Sequence, residues 1–127
     1  MSSTLSVDIA FGIPINDENE ETFPWVEMTQ EDDYSYYEGD HMEDFEEWAP
    51  EDCPFEIDMW GNLQRWEEGC YVLKVKNMGA SDYDDVLVFE PSLFFDFDRQ
   101  IHDAIAWAHA HNLPTEGLTW MVVPCVS

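Results

Sequence analysis

Histidine and carboxylate side chains near residue 100 have the spacing of a helical metal site. His102 and His109 lie seven residues apart, which is two helical turns, and Asp98 precedes His102 by four residues. These groups could ligate zinc if residues 96–112 form a helix. His111 lies two residues after His109, so it would point to a different face of the helix. We therefore expect exposed histidines in acidic surroundings, with no metal ion and no other cofactor.

Acidic and amide side chains at Asp17, Asn19 and Glu21 alternate as the first ligands of an EF-hand calcium loop do. The sixth position lacks the required glycine, and Met28 stands at the twelfth in place of a bidentate glutamate. The chain has no phosphate-binding glycine loop and no Gly-x-Ser-x-Gly motif. Carboxylates are too abundant for any pair to be assigned an acid–base role. The sequence predicts a protein that is not an enzyme.

Three cysteines without a Cys-x-x-Cys pair favour reduced thiols over a disulfide framework. They are Cys53, Cys70 and Cys125. The first residues show neither a basic region nor a long apolar run, so we expect no signal peptide. No stretch reaches the roughly 18 apolar residues of a membrane span. The expected location is the cytoplasm.

The net charge excludes several classes of partner. The 127 residues include 29 Asp and Glu but only 4 Lys and Arg, which gives a formal net charge of −25. The four cations are scattered as Arg65, Lys74, Lys76 and Arg99. Binding of nucleic acid requires clustered Lys and Arg to neutralise phosphates, and an anionic membrane surface would repel this chain. We expect neither nucleic acid nor membrane as a direct partner.

The negative charge is concentrated in residues 17–58, which we call the acidic segment. These 42 residues contain 18 of the 29 acidic side chains and no Lys or Arg. Such a run is usually a solvated tail or linker, but disordered chains are poor in aromatics. The acidic segment contains eight of them: Phe23, Trp25, Tyr34, Tyr36, Tyr37, Phe45, Trp48 and Phe55. We expect residues 1–127 to form one domain, with residues 16–58 as a folded, aromatic-containing acidic insert.

Capping signals predict two short helices inside the acidic segment. Thr29 can cap the first, with acidic residues in its first turn and Gly39 at its C-terminal end. Asp40 can cap the second, which has a capping-box glutamate at Glu43 and ends before Pro50.

The second predicted helix has an apolar face and an acidic face. Phe45 and Trp48 would point inward, and four acids would face water: Glu43, Asp44, Glu46 and Glu47. Carboxylates three and four residues apart repel by a few tenths of a kcal/mol per pair. A sequence that keeps this repulsion is expected to use the electric field that it creates.

Alternating apolar residues predict a sheet around the insert, and one stretch has helical periodicity. Pro14 indicates an edge or the end of its strand. The predicted strands are residues 7–15, 55–59, 70–76, 86–89 and 118–123, with a polar connection at 77–85 and a helix at 96–112. The predicted fold class is α+β, with an antiparallel or mixed sheet of about five strands and one long helix, plus an acidic insert with short helices.

The charge is comparable with that of DNA. A compact chain of this length has a diameter of roughly 36 Å, and ~36 Å of duplex DNA carries about 21 negative charges. Solubility requires a net charge of only about 2 to 8. Adaptation to high salt would be expected to spread the acids over the whole surface, whereas here they are concentrated in one segment.

In size, charge, absence of catalytic motifs and the acidic, aromatic-containing segment, the chain resembles small acidic bacteriophage-encoded proteins that mimic DNA and block host defence, of the anti-restriction and anti-CRISPR type. The resemblance implies a non-enzymatic, stoichiometric inhibitor in the host cytoplasm. Its partner would be a basic nucleic-acid-binding protein: a Cas effector, a restriction enzyme or a nuclease. Steering by complementary charge would speed association and weaken with salt.

The expected partner-contact residues are Glu31, Asp32, Asp33, Glu38, Asp40, Glu43, Asp44, Glu46, Glu47, Glu51, Asp52, Asp82, Asp84 and Asp85. Four aromatics are candidate anchors beside them: Trp25, Tyr36, Tyr37 and Trp48. Alternative functions are an immunity protein for a nuclease toxin, an acidic structural or chaperone-like protein that binds basic partners, and plain solubility or salt adaptation. The sequence leaves the oligomeric state open.

Overall fold

The computed structural model describes residues 5–59, 61–62, 71–76, 80–83 and 97–126. Within these residues the chain forms a sheet, a separate two-stranded hairpin and two α-helices, so the predicted α+β class is confirmed. The elements are β1 Leu5–Ile15, a 3₁₀ turn Glu20–Thr22, β2 Thr29–Glu31, β3 Tyr34–Tyr36, α1 His41–Trp48, β4 Phe55–Met59, β5 Gly61–Asn62, β6 Tyr71–Val75, β7 Ala80–Tyr83, α2 Asp98–Ala110 and β8 Thr119–Val126.

Four strands pair antiparallel in the order β4-β6-β1-β8, and two short strands extend this sheet. Strand β7 pairs with β1 beside β6, and β5 runs parallel to the end of β8. Gly12 lies between Lys74 of β6 and Thr119 of β8. A Cβ atom at Gly12 would lie 1.9 Å from the carbonyl oxygen of Leu73, so the two backbones approach closely only because glycine is present. Pro14 lies beyond the last pair with β8, one residue before the end of β1, and is still paired with Val72 of β6.

The core joins the sheet, α2 and the acidic segment in one cluster. Strand β1 contributes Phe11, Ile13 and Ile15, as its alternation predicts, and α2 contributes Ala104 and Ala108. The acidic segment contributes five buried residues to the same cluster: Phe23, Trp25, Phe45, Cys53 and Phe55. The segment is therefore packed into the core of the protein through its apolar side chains.

The predicted helix at residues 29–39 is wrong, because this stretch forms the β2–β3 hairpin. Glu31 pairs with Tyr34, and the turn between them has only two residues. Asp32 has a positive φ of 48°, which Asp adopts more readily than most residues. Tyrosines at alternate positions favour a strand, and the rings of Tyr34 and Tyr36 lie 5.7 Å apart. Turn chemistry and pairing of β2 with β3 thus prevail over the acidic helix-start signal.

The second predicted helix is confirmed as α1. The Asp40 side chain accepts a hydrogen bond from the Met42 N–H at 2.9 Å, so it caps the helix as expected. The last helical residue is Trp48, and Pro50 follows two residues later. Phe45 is buried and Trp48 half-buried, which agrees with the predicted inward face.

Elsewhere the strands follow the sequence pattern, with two additions, the short strands β5 and β7. Strands β1, β4, β6 and β8 overlap the predicted ones, and α2 lies within the predicted helical region. Residues 80–83, taken as part of a polar connection, instead form β7, because pairing with β1 requires only their backbone groups. The predicted strand at 86–89 lies outside the described residues.

Candidate partner-binding surface

In the acidic segment, most carboxylates lie at the surface, whereas four aromatic side chains lie in the core. Of its 18 acidic residues, 15 are exposed and none is buried. The remaining three, Glu20, Asp44 and Glu56, are half-buried. Aromatic burial thus holds the segment in place while nearly all of its charge faces water.

The acidic segment begins directly after β1, at a turn that is stabilised by side-chain hydrogen bonds. The Asn16 N–H donates to Oδ1 of Asn19 at 2.8 Å, and Oδ1 of Asn16 accepts from the N–H of Glu18 at 2.9 Å. Nδ2 of Asn19 donates to the Pro14 carbonyl at 2.8 Å. These asparagines satisfy backbone groups where the chain leaves the sheet.

A buried hydrogen bond links the middle of the segment to α1. The indole Nε1 of Trp25 donates to Nδ1 of His41 at 3.0 Å. The Trp25 ring stacks on Phe23 with centroids 4.9 Å apart and meets the edge of Phe45 at 5.2 Å. Trp25 is only 7% exposed. It therefore belongs to the core and cannot act as the partner anchor that the sequence indicated.

His41 is the buried polar residue of this region, at 6% exposure. Its Nε2 lies 3.6 Å from a carboxylate oxygen of Glu20. Burial lowers the pKa of His41, and this effect exceeds the opposing influence of the carboxylates of Glu20, Asp40 and Asp44. His41 is therefore favoured in its neutral form. Sequence analysis missed its role because Trp25 is 16 residues away and no local pattern joins the two.

The β2–β3 hairpin carries one exposed and one half-buried tyrosine among carboxylates. Tyr34 is 58% exposed. The Tyr36 hydroxyl donates to Glu38 at 3.0 Å and lies 3.2 Å from Glu31. The hydrogen bond with Glu38 and burial raise the pKa of Tyr36, so its hydroxyl stays protonated as a donor. Among the described aromatics of the acidic segment, Tyr34 is the exposed one, although it was not among the predicted anchors.

Asp44 was predicted to be a partner-contact residue that faces water, and this predicted exposure is wrong. Its carboxylate accepts a hydrogen bond from the Tyr37 hydroxyl and is half-buried. Burial and the neighbouring Asp44 raise the pKa of Tyr37 far above its ordinary value. Asp44 therefore helps to hold α1 against the preceding chain instead of facing water.

The other predicted contact residues divide into three groups. Asp40 is exposed but caps α1. Asp82 lies in β7, opposite Val7, and Asp84 and Asp85 lie outside the described residues. The remaining nine are exposed: Glu31, Asp32, Asp33, Glu38, Glu43, Glu46, Glu47, Glu51 and Asp52.

The cations of the described residues offset little of this charge. Nζ of Lys74 lies 3.0 Å from Asp58 and 3.8 Å from Glu56, and the Lys74 side chain is only 14% exposed. The register explains the contact, because Lys74 is paired with Glu56 across β4 and β6. Lys76 and Arg99 are exposed. In the described part of the chain, Lys74 is the cation within 4 Å of carboxylates, and the imidazoles of His41 and His102 lie near Glu20 and Asp98.

Two open cavities border the segment. One of about 430 Å³ lies between α1 and β4, with Met42, Ala49 and Ile57 among its apolar lining and Glu46 and Glu51 among its carboxylates. The other, of about 450 Å³, lies along α2 and is lined by Asp52, Pro54, Arg99, Gln100, Asp103, Ala104 and Trp107. Neither contains the grouped acid, base and nucleophile that a reaction centre requires.

His102 lies in α2, and His111 directly follows the last residue of this helix, Ala110. His102 is exposed, and its Nε2 lies 3.6 Å from Asp98, four residues earlier on the same face. His111 stacks on Trp107 with centroids 3.8 Å apart. Within residues 5–59, 61–62, 71–76, 80–83 and 97–126, no three His, Cys, Asp or Glu side chains are grouped to hold a metal ion.

No family model, curated protein or solved structure matches this chain. Neither helix of the described residues is long and apolar enough to cross a membrane. The function is therefore inferred from the chemistry of the surface.

Proposed function

We propose that the protein is a non-enzymatic, stoichiometric inhibitor that presents a DNA-like carboxylate surface to a basic nucleic-acid-binding protein. One observation carries this proposal: 15 of the 18 acidic residues of the acidic segment are exposed, while Phe23, Trp25, Phe45 and Phe55 of the same segment are buried in the core. A flexible acidic tail would not bury Phe23, Trp25, Phe45 and Phe55. The exposed charge therefore belongs to a folded surface.

The physical basis of binding is long-range attraction followed by short-range selection. A dense field of one sign raises the association rate with a basic groove, and salt weakens it. A folded surface loses less conformational entropy on binding than a flexible tail does. Exposed Tyr34 adds an aromatic contact beside Glu31.

The partner class that fits is a protein with a basic groove for DNA or RNA. In a bacteriophage context it is a defence protein: a Cas effector, a restriction enzyme or a nuclease. Occupation of that groove excludes the nucleic acid, so inhibition requires no chemistry by the inhibitor. One inhibitor molecule per groove is the expected stoichiometry.

Competition with duplex DNA tests this function. A purified Cas effector, a restriction endonuclease and a toxin nuclease are each bound to labelled duplex, and the protein is added at about 50 and about 500 mM salt. We expect displacement of DNA from one of them at equimolar protein, weakened roughly tenfold or more at the higher salt. Failure to displace DNA from any of the three at low salt contradicts the proposal.

Two charge-matched variants locate the surface. E43Q/E46Q/E47Q removes three exposed carboxylates from α1, whereas D98N/D103N/E116Q removes three exposed carboxylates outside the acidic segment. The net charge changes by the same amount in both variants. If only the total charge mattered, both variants would displace DNA equally weakly. We expect the α1 variant to lose roughly tenfold more affinity than the control. Equal losses would place the effect in total charge instead of in this surface.

A further inference from the structure

The hydrogen bond between Trp25 and His41 fixes the protonation state of the imidazole. The indole Nε1 is only a donor, so Nδ1 of His41 must accept and carries no proton. Neutral His41 then has its proton on Nε2, which faces Glu20 at 3.6 Å. A second proton can be added only at Nδ1, directly against the N–H of Trp25.

We propose that protonation of His41 breaks its bond to Trp25 and loosens the acidic segment from the core, so that the attachment of this segment weakens as pH falls below about 6.5. The imidazolium would place two N–H donors face to face, and the indole N–H of a 7% exposed side chain would lose its acceptor. The four core strands would keep their own ladder hydrogen bonds.

The surroundings of His41 contain influences that favour its protonation and influences that oppose it. Glu20 in the 3₁₀ turn, Asp40 at the helix cap and Asp44 in α1 favour the imidazolium. Burial opposes it, as does the position of His41 as first residue of α1, where the helix dipole disfavours positive charge. The rings of Tyr37 and Tyr71, at 4.6 and 5.4 Å, complete the enclosure with neutral side chains.

The location of the bond gives protonation its structural consequence. Trp25 is the ring on which Phe23, Phe45 and Trp48 converge, at 4.9, 5.2 and 5.5 Å. Displacement of its indole therefore disturbs contacts on both α1 and the chain before the hairpin. Because the folded state lowers the pKa of His41, the unfolded chain takes up the proton first, and stability falls as pH drops below about 6.5.

NMR titration from about pH 7.5 to 5 tests the proposal on the intact protein. We expect the Trp25 indole N–H resonance to shift with the imidazole of His41, and its hydrogen exchange to become faster by roughly tenfold although intrinsic exchange slows in acid. Protonation of His41 that leaves both the Trp25 resonance and its exchange unchanged overturns the proposal.

Two variants separate this mechanism from general acid effects. His41→Asn keeps a side-chain acceptor for Trp25 but cannot titrate, so it should abolish the change seen as the pH falls below about 6.5. Trp25→Phe removes the donor and should raise the measured pKa of His41. If Trp25→Phe does not fold, the result with His41→Asn decides alone. Full wild-type pH dependence in His41→Asn contradicts a role for the imidazole.

Discussion

The hydroxyl of Tyr37 donates a hydrogen bond to the carboxylate of Asp44 across the junction between the hairpin and α1. Tyr37 precedes the helix and Asp44 lies in its first turn, so the bond fixes the angle at which the chain enters α1. The raised pKa of Tyr37 keeps the proton on the donor throughout the physiological range.

Tyr37→Phe should therefore destabilise the protein by about 1 kcal/mol, since it removes a hydrogen bond to a charged but half-exposed group. Urea unfolding at neutral pH measures the change. Tyr34→Phe is the matched control, because its hydroxyl is exposed and lies 3.4 Å from Glu31; its effect should stay within about 0.5 kcal/mol. Equal effects of the two substitutions would show that the bond to Asp44 contributes nothing specific.

The capping role of Asp40 can be separated from its charge. Asp40→Ala removes the acceptor for the Met42 N–H and should cost about 1 kcal/mol of unfolding free energy. Asp40→Asn keeps an acceptor and should be nearly neutral. Thermal unfolding of both variants provides the measurement. A large loss with Asn would mean that charge, not the hydrogen bond, gives Asp40 its effect.

Gly12→Ala tests the close approach of β1 and β6. The added Cβ would meet the Leu73 carbonyl oxygen at 1.9 Å and the Lys74 Cα at 2.8 Å, and backbone atoms cannot rotate away. We expect a loss of about 3 kcal/mol or failure to fold. Gly117→Ala is the comparison: its positive φ of 98° imposes strain of about 1 kcal/mol in a turn outside the sheet. Unfolding curves that rank Gly117→Ala as the more damaging variant contradict this assignment.

Repulsion among the carboxylates of α1 should be measurable as lost stability. Glu43 lies three and four residues before Glu46 and Glu47, so E43Q/E46Q/E47Q should gain about 0.5 kcal/mol at low ionic strength. The gain should vanish at about 1 M salt, where screening acts over ~3 Å. Chemical unfolding at both salt concentrations measures it. Stability that rises while partner affinity falls is the pattern expected of charge retained for binding.

Cys53 should be chemically inert in the folded protein. Its side chain is 4% exposed, and burial raises the pKa of its thiol, so little reactive thiolate is present. In a Cys70→Ser/Cys125→Ser background, labelling of Cys53 with a disulfide reagent should be at least roughly a hundredfold slower than in urea. Rapid labelling under native conditions would contradict the burial of this residue.

Patterns within a short stretch of sequence correctly predicted the elements that neighbouring residues determine. The alternation of β1 and the capping by Asp40 depend on neighbouring residues and could be read directly from the sequence. The hairpin at residues 29–36 was missed because Asp32 and Asp33 suit both a helix start and a tight turn, and pairing between Glu31 and Tyr34 decides between them.

The environment of the surface residues was predictable only in part. Charge along the chain identified the exposed acids, because carboxylates without cations nearby stay in water. It could not identify Asp44 as a hydrogen-bond acceptor or His41 as the acceptor of Trp25, since both depend on how distant segments fold together. Asp58 and Lys74 are likewise joined only by strand register.

Strand β4 ends the sheet on its side, and no described strand pairs with its outer edge. An open edge of this kind is a template on which a second copy can add a strand and begin a fibril. Here the edge strand carries Glu56 and Asp58 and follows the carboxylates of Glu51 and Asp52, so two approaching copies repel each other before their backbones can meet. The charge at this edge thus opposes aggregation of the protein through its own sheet.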